Sequence, residues 1–278
     1  PQLTLTPVAY TTFPFANRRG TTIIDRSTAY PLFGLRAGRV ARRLVSAGNI
    51  DIVHGLGASV LGYALADRLS RTAPLVFNPQ GLEEFGATDP SRAPLKRLGY
   101  WPLRAAVRRC AQAADRVIAT DRALVKPVLA HLGVRPDVVS VIPNAVELST
   151  CDRGDAPARA RALRMRVGIQ PEDLLFVSAG RLEANKGFDV LVRALSSLAA
   201  DKHLPSPWRW VLVGDGPMRR ALQREVASAG ISEHVVMWGR ADLQDLHGWY
   251  EAATLFVHPT LYEGSSLVTL EAMAHHRP

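Results

Sequence analysis

The sequence predicts an α/β protein built on parallel sheets, and three observations predict it. Short apolar runs alternate with helix-length amphipathic segments along the chain. Glycines follow several of the apolar runs, at Gly55, Gly180, Gly214 and Gly239, where a strand would turn into a helix. The chain has 278 residues, of which 47% are hydrophobic, enough for two domains with a core each.

Taken in order, the first half reads as strands near 50–54, 74–78, 116–120 and 138–142. Its helices fall near 31–47, 58–70, 92–112 and 122–132. The second half reads as strands near 174–179, 209–213, 234–238 and 254–258, with helices near 188–200, 217–229, 242–252 and 265–275. Residues 147–169 read as a linker, because they hold Asp152-Arg153-Gly154-Asp155, an Arg-rich stretch (Arg159, Arg161, Arg164, Arg166) and Gly168. The domains are therefore expected at 1–146 and 170–278.

Composition narrows the function classes. The formal charge of +9 favours anionic partners such as nucleotide diphosphates or anionic lipid. Arg92, Lys96, Arg97, Tyr100, Trp101, Arg104, Arg108 and Arg109 form a basic segment with aromatics suited to a membrane surface, or simply a solvated helix face. The basic residues are otherwise scattered and no reading module is recognisable, which argues against nucleic acid. Two cysteines, Cys110 and Cys151, give no disulfide framework and point to a reducing cytosol. No apolar run approaches a membrane span. There is no D-x-D triplet and no zinc spacing, so no metal or other cofactor is expected. A Walker A sequence and G-x-S-x-G are also absent. Gly55-Leu56-Gly57-Ala58-Ser59 mimics a dinucleotide turn, but the third glycine is misplaced and no acid ends the next strand, so a tight strand-to-helix turn is the better reading.

The chemistry concentrates in the second half. Thr254-Leu255-Phe256-Val257-His258-Pro259 reads as a buried strand; Glu263 and Gly264 follow, and a helix opens at Ser265 or Ser266. A helix N-terminus reached through glycine suits a phosphate, since free N–H groups and the dipole both favour an anion. Glu263 and Glu271 flank that point, and two carboxylates beside an anion site suit the hydroxyls of an attached sugar or ribose. Glu271 adjoins the apolar face of Leu267, Leu270 and Ala274, so it needs a polar partner. Upstream, Arg181 and Lys186 stand five residues apart on the loop between a strand and a helix, placed to clamp a diphosphate. Gly214-Asp215-Gly216 reads as a turn before a helix with Pro217 at its first position. His54 and Gln80 are expected at C-terminal strand ends, the ligand edge of an open parallel sheet.

Gly180-Arg181…Lys186-Gly187, Val213-Gly214-Asp215-Gly216-Pro217 and Glu263-x7-Glu271, with Phe256-Val257-His258-Pro259-Thr260 before it and Val141-Ile142-Pro143-Asn144-Ala145-Val146 earlier, resemble the retaining glycosyltransferases of family 4. The resemblance spans most of residues 50–278. It implies the GT-B fold: two Rossmann-like domains facing a cleft, the first on the acceptor side and the second binding a nucleotide diphosphate sugar. It further implies metal-independent transfer to an acceptor hydroxyl with retention, as in bacterial-type glycan biosynthesis in the cytoplasm, at the inner face of the membrane if the basic segment docks there. Glu263, Arg181 and Lys186 would be catalytic. Glu271, Gly264, Ser265, Ser266, Leu267, Gly214, Gly216, Gly239 and Arg240 would bind the donor. His54, Gln80 and Gly81 would face the acceptor or sugar; the family commonly has a His near Gln80, and this chain does not. The resemblance also places a first strand and glycine-rich loop before Pro1 and more of the second domain after Pro278, so the chain reads as a fragment. Two alternatives stay open: a sugar-nucleotide epimerase of the same fold, and a non-catalytic sugar-nucleotide binding module.

Overall fold

A computed structural model describes residues 3–12, 22–80, 82–85, 98–151, 155–205, 207–261 and 263–278. The chain divides into two compact units, Pro1–Pro143 and Asn144–Pro278. Among the described residues each unit carries a four-stranded parallel sheet.

In unit 1 the elements are α1 (Thr22–Ser46), β1 (Val53–Leu56), α2 (Leu61–Ala64), β2 (Leu75–Asn78), α3 (Trp101–Ala113), β3 (Arg116–Ala119), α4 (Arg122–Leu132) and β4 (Val139–Val141). The strands lie side by side in the order β1-β2-β3-β4. Helix α1 begins at Thr22 and runs through Pro31, where the sequence suggested a start near 31. Packing explains it. A Cβ on Gly34 would collide with the Ala58 carbonyl, and one on Gly38 with the Gly62 and Tyr63 backbone, so α1 lies almost against α2. That contact outweighs the one hydrogen bond a proline removes. The expected helix at 58–70 is instead broken into short turns, with Gly57-Ala58-Ser59-Val60 as a 3₁₀ turn. Of the helix expected at 92–112, residues 92–97 lie outside the described residues.

Unit 2 continues with α5 (Leu148–Cys151), α6 (Ala156–Arg166), β5 (Leu174–Ala179), α7 (Phe188–Ala200), β6 (Trp208–Val213), α8 (Arg219–Ser228), β7 (Val235–Gly239), α9 (Leu243–Ala252), β8 (Leu255–Phe256) and α10 (Leu267–Ala274). Its strand order is β7-β6-β5-β8. Both faces are covered, which is why β5 and β6 read as near-continuous apolar runs. Leu175, Val177 and Ala179 join one core cluster with Val211, Trp249 and Tyr250. Phe176 joins the other with Leu212, Trp210, Phe188, Val192 and Leu222. This is the two-residue alternation of a strand between helix layers.

The expected linker is corrected here. Ala160, Leu163 and Ile169 are buried in the first of those clusters. A Cβ on Gly248 would lie 2.7 Å from Leu163, so α6 and α9 approach closely. The Arg164 guanidinium ties the pair by donating to the Ala252 carbonyl at 2.9 Å. The surrounding arginines hid a narrow apolar stripe, Ala156, Ala160 and Leu163, at helical spacing. No helix among the described residues is long and apolar enough to cross a membrane.

Candidate functional site

The strand order of unit 2 reverses once. From β5 the chain steps outward to β6 and β7, then returns to place β8 on the other side of β5. In open parallel sheets the crevice at the carboxyl ends beside such a reversal is where ligands bind. The loops that leave β5 and β8 there are 180–187 and 257–266, the two that the sequence marks as chemical.

Glycines let these loops close together. Gly214 has φ +139°, and a Cβ on it would collide with the Gly180 carbonyl; Gly187 has φ +65°, and a Cβ there would strike the Pro259 carbonyl. Only glycine meets both demands without strain. Backbone hydrogen bonds then hold the 180–187 loop from two sides. Leu182 N–H donates to Asp215 O at 3.1 Å and Met218 N–H to Leu182 O at 2.9 Å. Leu261 N–H donates to Asn185 O at 2.9 Å. The next loop is tied in through Gly214 N–H to Gly239 O at 2.7 Å.

Across this crevice the Lys186 ammonium donates to Glu263 Oε2 at 2.7 Å, with the two side chains only 16% and 25% exposed. His258 Nε2 lies 2.7 Å from the same oxygen. Burial pushes the Glu263 carboxyl upward, but the hydrogen bonds and charges of Lys186 and His258 outweigh it and hold the group below the ordinary carboxylate range. Oε1 takes no hydrogen bond among the described residues.

Ser266 is the N-cap position of α10, but its hydroxyl makes no capping bond and instead sits 3.3 Å from His258 Nε2. The N–H groups of the first turn thus lack a side-chain cap. Leu267 opens the helix and is partly exposed. Ser265 is tied to Asn144, whose side-chain amide donates to Ser265 O at 2.7 Å and whose N–H donates to Ser265 Oγ at 3.0 Å. Glu271 finds its polar partner within the protein: Tyr250 Oη donates to Oε2 at 2.8 Å. Burial first, and then Glu271, raise the Tyr250 phenol well above its usual range, so it stays a donor. Glu271, Leu267, Leu243, His247 and Glu147 line a cavity of about 200 Å³. A larger one, about 680 Å³, opens against Leu270, Met273 and Glu251 and includes none of the residues of the two crevice loops.

Other expected residues are placed differently. Arg181 is not paired with Glu263; it bridges to Glu183 at 2.8 Å and is 76% exposed. Gly216 packs on Leu182, while Arg240 is exposed on the loop after β7. In unit 1, His54 is the second residue of β1 and not its end, because the strand starts at Val53 and ends at Leu56. Gln80 has φ +64° and its N–H donates to Asn78 Oδ1, and it lines a cavity of about 440 Å³ with Arg26, Tyr30 and Glu84. Gly81 lies outside the described residues. The dinucleotide-like Gly55–Ser59 turn is closed by Tyr30, whose Oη donates to Leu56 O at 2.9 Å. Sequence reasoning missed His258, Asn144 and Tyr250. His258 could have been found as a polar residue ending an otherwise apolar strand; Tyr250 carries no local signal.

Residues 6–150 match the profile described as Glycosyltransferase Family 4, and residues 173–278 match that described as Glycosyl transferases group 1. The D-inositol 3-phosphate glycosyltransferase of Xylanimonas cellulosilytica is 32% identical over 169 residues, covering 58% of this chain and 39% of that protein. Its namesake from Streptomyces bingchenggensis is 30% identical over 168 residues, 58% of this chain and 36% of that protein. The chain thus spans less than half the length of these curated relatives. Among solved structures, Anabaena HepE in complex with UDP-glucose superposes with a TM-score of 0.64 at 23% identity, covering 86% of this chain and 61% of that one. Sucrose-phosphate synthase from Thermosynechococcus elongatus gives 0.66 at 20%, covering 93% and 62%. These likenesses establish the GT-B class of fold. With its first 150 residues matched almost throughout and its loops built as above, the chain belongs to glycosyltransferase family 4.

Proposed function

We propose that the protein moves a sugar from a nucleotide diphosphate sugar to an acceptor hydroxyl, without a metal ion and with retention of configuration, and that unit 2 binds the donor. One observation carries this reading: Lys186 and Glu263, 77 residues apart in sequence, meet at 2.7 Å beside the reversal of the unit 2 sheet. A diphosphate there would draw the Lys186 charge, and sugar hydroxyls would donate to Glu263 Oε1. Arg181 supplies a second cation. Its exposed bridge to Glu183 is worth no more than about 1 kcal/mol, so the guanidinium can exchange it for phosphate oxygens at little cost.

As the sugar leaves, negative charge builds on the diphosphate. Lys186, Arg181 and the uncapped N–H groups from Ser266 onward would meet that charge as it develops, which is electrostatic catalysis by the chain itself. Gly264 and Ser265 lead the chain into that helix. Gly214, Gly216, Gly239 and Arg240 would border the nucleotide, and Glu271, with Oε2 held by Tyr250, would take the ribose. In unit 1, the cavity beside Gln80 is the proposed acceptor side. A peripheral membrane contact would use the α3 face carrying Trp101 and Arg109, which are exposed, whereas Arg104 and Arg108 turn over the Phe85 ring.

UDP-glucose is the first donor to try, because HepE binds it on the same fold. Thermal melts of the full-length enzyme with UDP-glucose, ADP-glucose, GDP-mannose and free uridine test the reading. At about 100 times Kd a true donor adds about 2.7 kcal/mol of stability, and uridine, lacking the diphosphate, adds far less. Transfer should persist in EDTA. Equal shifts with uridine and UDP-glucose would overturn the diphosphate clamp.

A further inference from the structure

His258 follows directly on a segment that is hydrogen-bonded to the centre of the sheet. The residue before it, Val257, donates its N–H to Val177 O at 2.8 Å and accepts from Ser178 Oγ at 2.7 Å. Ser178 in turn accepts from Trp210 Nε1 at 3.1 Å, so the backbone leading into His258 is tied through β5 to β6. The imidazole is 10% exposed and lies nearly parallel to the Phe256 ring, 14° apart.

The ring's two nitrogens are in different surroundings. Nε2 faces Glu263 Oε2 at 2.7 Å and Ser266 Oγ at 3.3 Å. Nδ1 is buried and has no hydrogen-bond partner among the described residues. A proton on Nδ1 would bury an unsatisfied N–H, whereas a bare lone pair there costs less. A carboxylate oxygen can only accept, so the nitrogen 2.7 Å from it carries the proton: Nε2 is an N–H donor.

Two donors therefore converge on Oε2, and they differ in kind. Lys186 is on a long flexible stem and, on the function proposed above, turns to the diphosphate. His258 has a short stem and follows directly on a backbone segment tied to the sheet. We propose that His258 is a positioning residue for Glu263: an Nε2–H donor that keeps Oε2 anchored when Lys186 engages phosphate, so that Oε1 stays aimed at the sugar hydroxyls. The proposal rests on the reading of Glu263 as a donor-site carboxylate, while the contact itself does not.

Two measurements on the full-length enzyme separate these. The first is the ¹⁵N NMR signature of His258, assigned by its loss in His258→Gln. The expected result is a ring whose Nε2 carries a hydrogen-bonded proton; a ring protonated on Nδ1 alone would overturn the proposal even if transfer is unaffected. The second is steady-state transfer from UDP-glucose, or from whichever sugar nucleotide the melts select. Gln places its amide nitrogen near Nε2 and Asn places it near Nδ1. His258→Gln should keep kcat within about threefold, while His258→Asn and His258→Ala lose about 10- to 100-fold, as for a hydrogen bond to a charged group, with donor KM little changed. Gln and Asn variants of equal activity would overturn it. If instead Glu263→Gln proves fully active, the functional reading fails, and the NMR result still decides the tautomer.

Discussion

The two units are built from the same parts and put chemistry in different places. Each has four parallel strands alternating with helices, but unit 1 adds its described strands in one direction, whereas unit 2 turns back to set β8 beside β5. At that reversal two loops distant in sequence share one edge, and hydrogen-bond contacts run in series from Lys186 to Glu263, His258 and Ser266. In unit 1 the glycine turn that most resembles a phosphate site is closed by the Tyr30 hydroxyl, and His54 stands within a strand. The lesson is that glycine pattern marks a tight turn, while strand order decides whether the turn opens onto a crevice.

The largest expected effect breaks the crevice itself. Gly214→Ala places a methyl group into the Gly180 carbonyl at a positive φ, and neither backbone can yield cheaply. It should destabilise unit 2 by about 3 kcal/mol or more in urea denaturation. Gly48→Ala in unit 1 also has positive φ, but nothing lies within 4 Å of the added methyl, so only the conformational cost of about 1–2 kcal/mol remains. Equal losses would show that close approach is not what Gly214 serves.

Next in size is the charge pair. Lys186→Ala and Glu263→Gln should each lower kcat of the full-length enzyme by about 100- to 1000-fold, the range for a preorganised transition-state contact. Gln80→Ala in unit 1 should leave donor binding untouched and raise only the acceptor KM. An unchanged kcat in Lys186→Ala would return that loop to the status of surface charge.

A smaller effect should separate Glu271 from Glu263. Glu271→Ala is expected to raise donor KM with kcat largely kept, since a ribose contact exists before and during transfer. Tyr250→Phe removes one hydrogen bond to that carboxylate and should move KM the same way, by about tenfold. A kcat loss without a KM change would place Glu271 nearer the reacting centre.

The smallest concerns acid. The folded Glu263 carboxyl is depressed below its ordinary value of 4.5. Its contribution to stability is therefore complete above the unfolded value and is lost as pH falls through the folded one. Urea denaturation from pH 7 to pH 3 should show a shallower acid loss in Glu263→Gln than in the parent; identical slopes would mean the Lys186 and His258 bonds do not survive in solution.

Much of this was local and so could be read from the chain alone. The six residues of β5, the helices α4 and α7 and the residues flanking each loop follow from periods of two and 3.6, which need only neighbours to be seen. The loop residues Lys186, Glu263 and Glu271 were likewise visible as charged groups at strand-to-helix junctions. The family's membership showed in the joint order of short motifs, each weak by itself. Tertiary structure alone decided the rest. Strand order set Lys186 against Glu263 and left Arg181 with Glu183; helix packing turned an Arg-rich stretch read as linker into a buried layer of unit 2; Tyr250 became the partner that Glu271 needed. The reason is common to all three. Apolar periodicity is written along a segment, but which segments lie side by side is settled by burying their faces together, and that balance is taken over the whole unit.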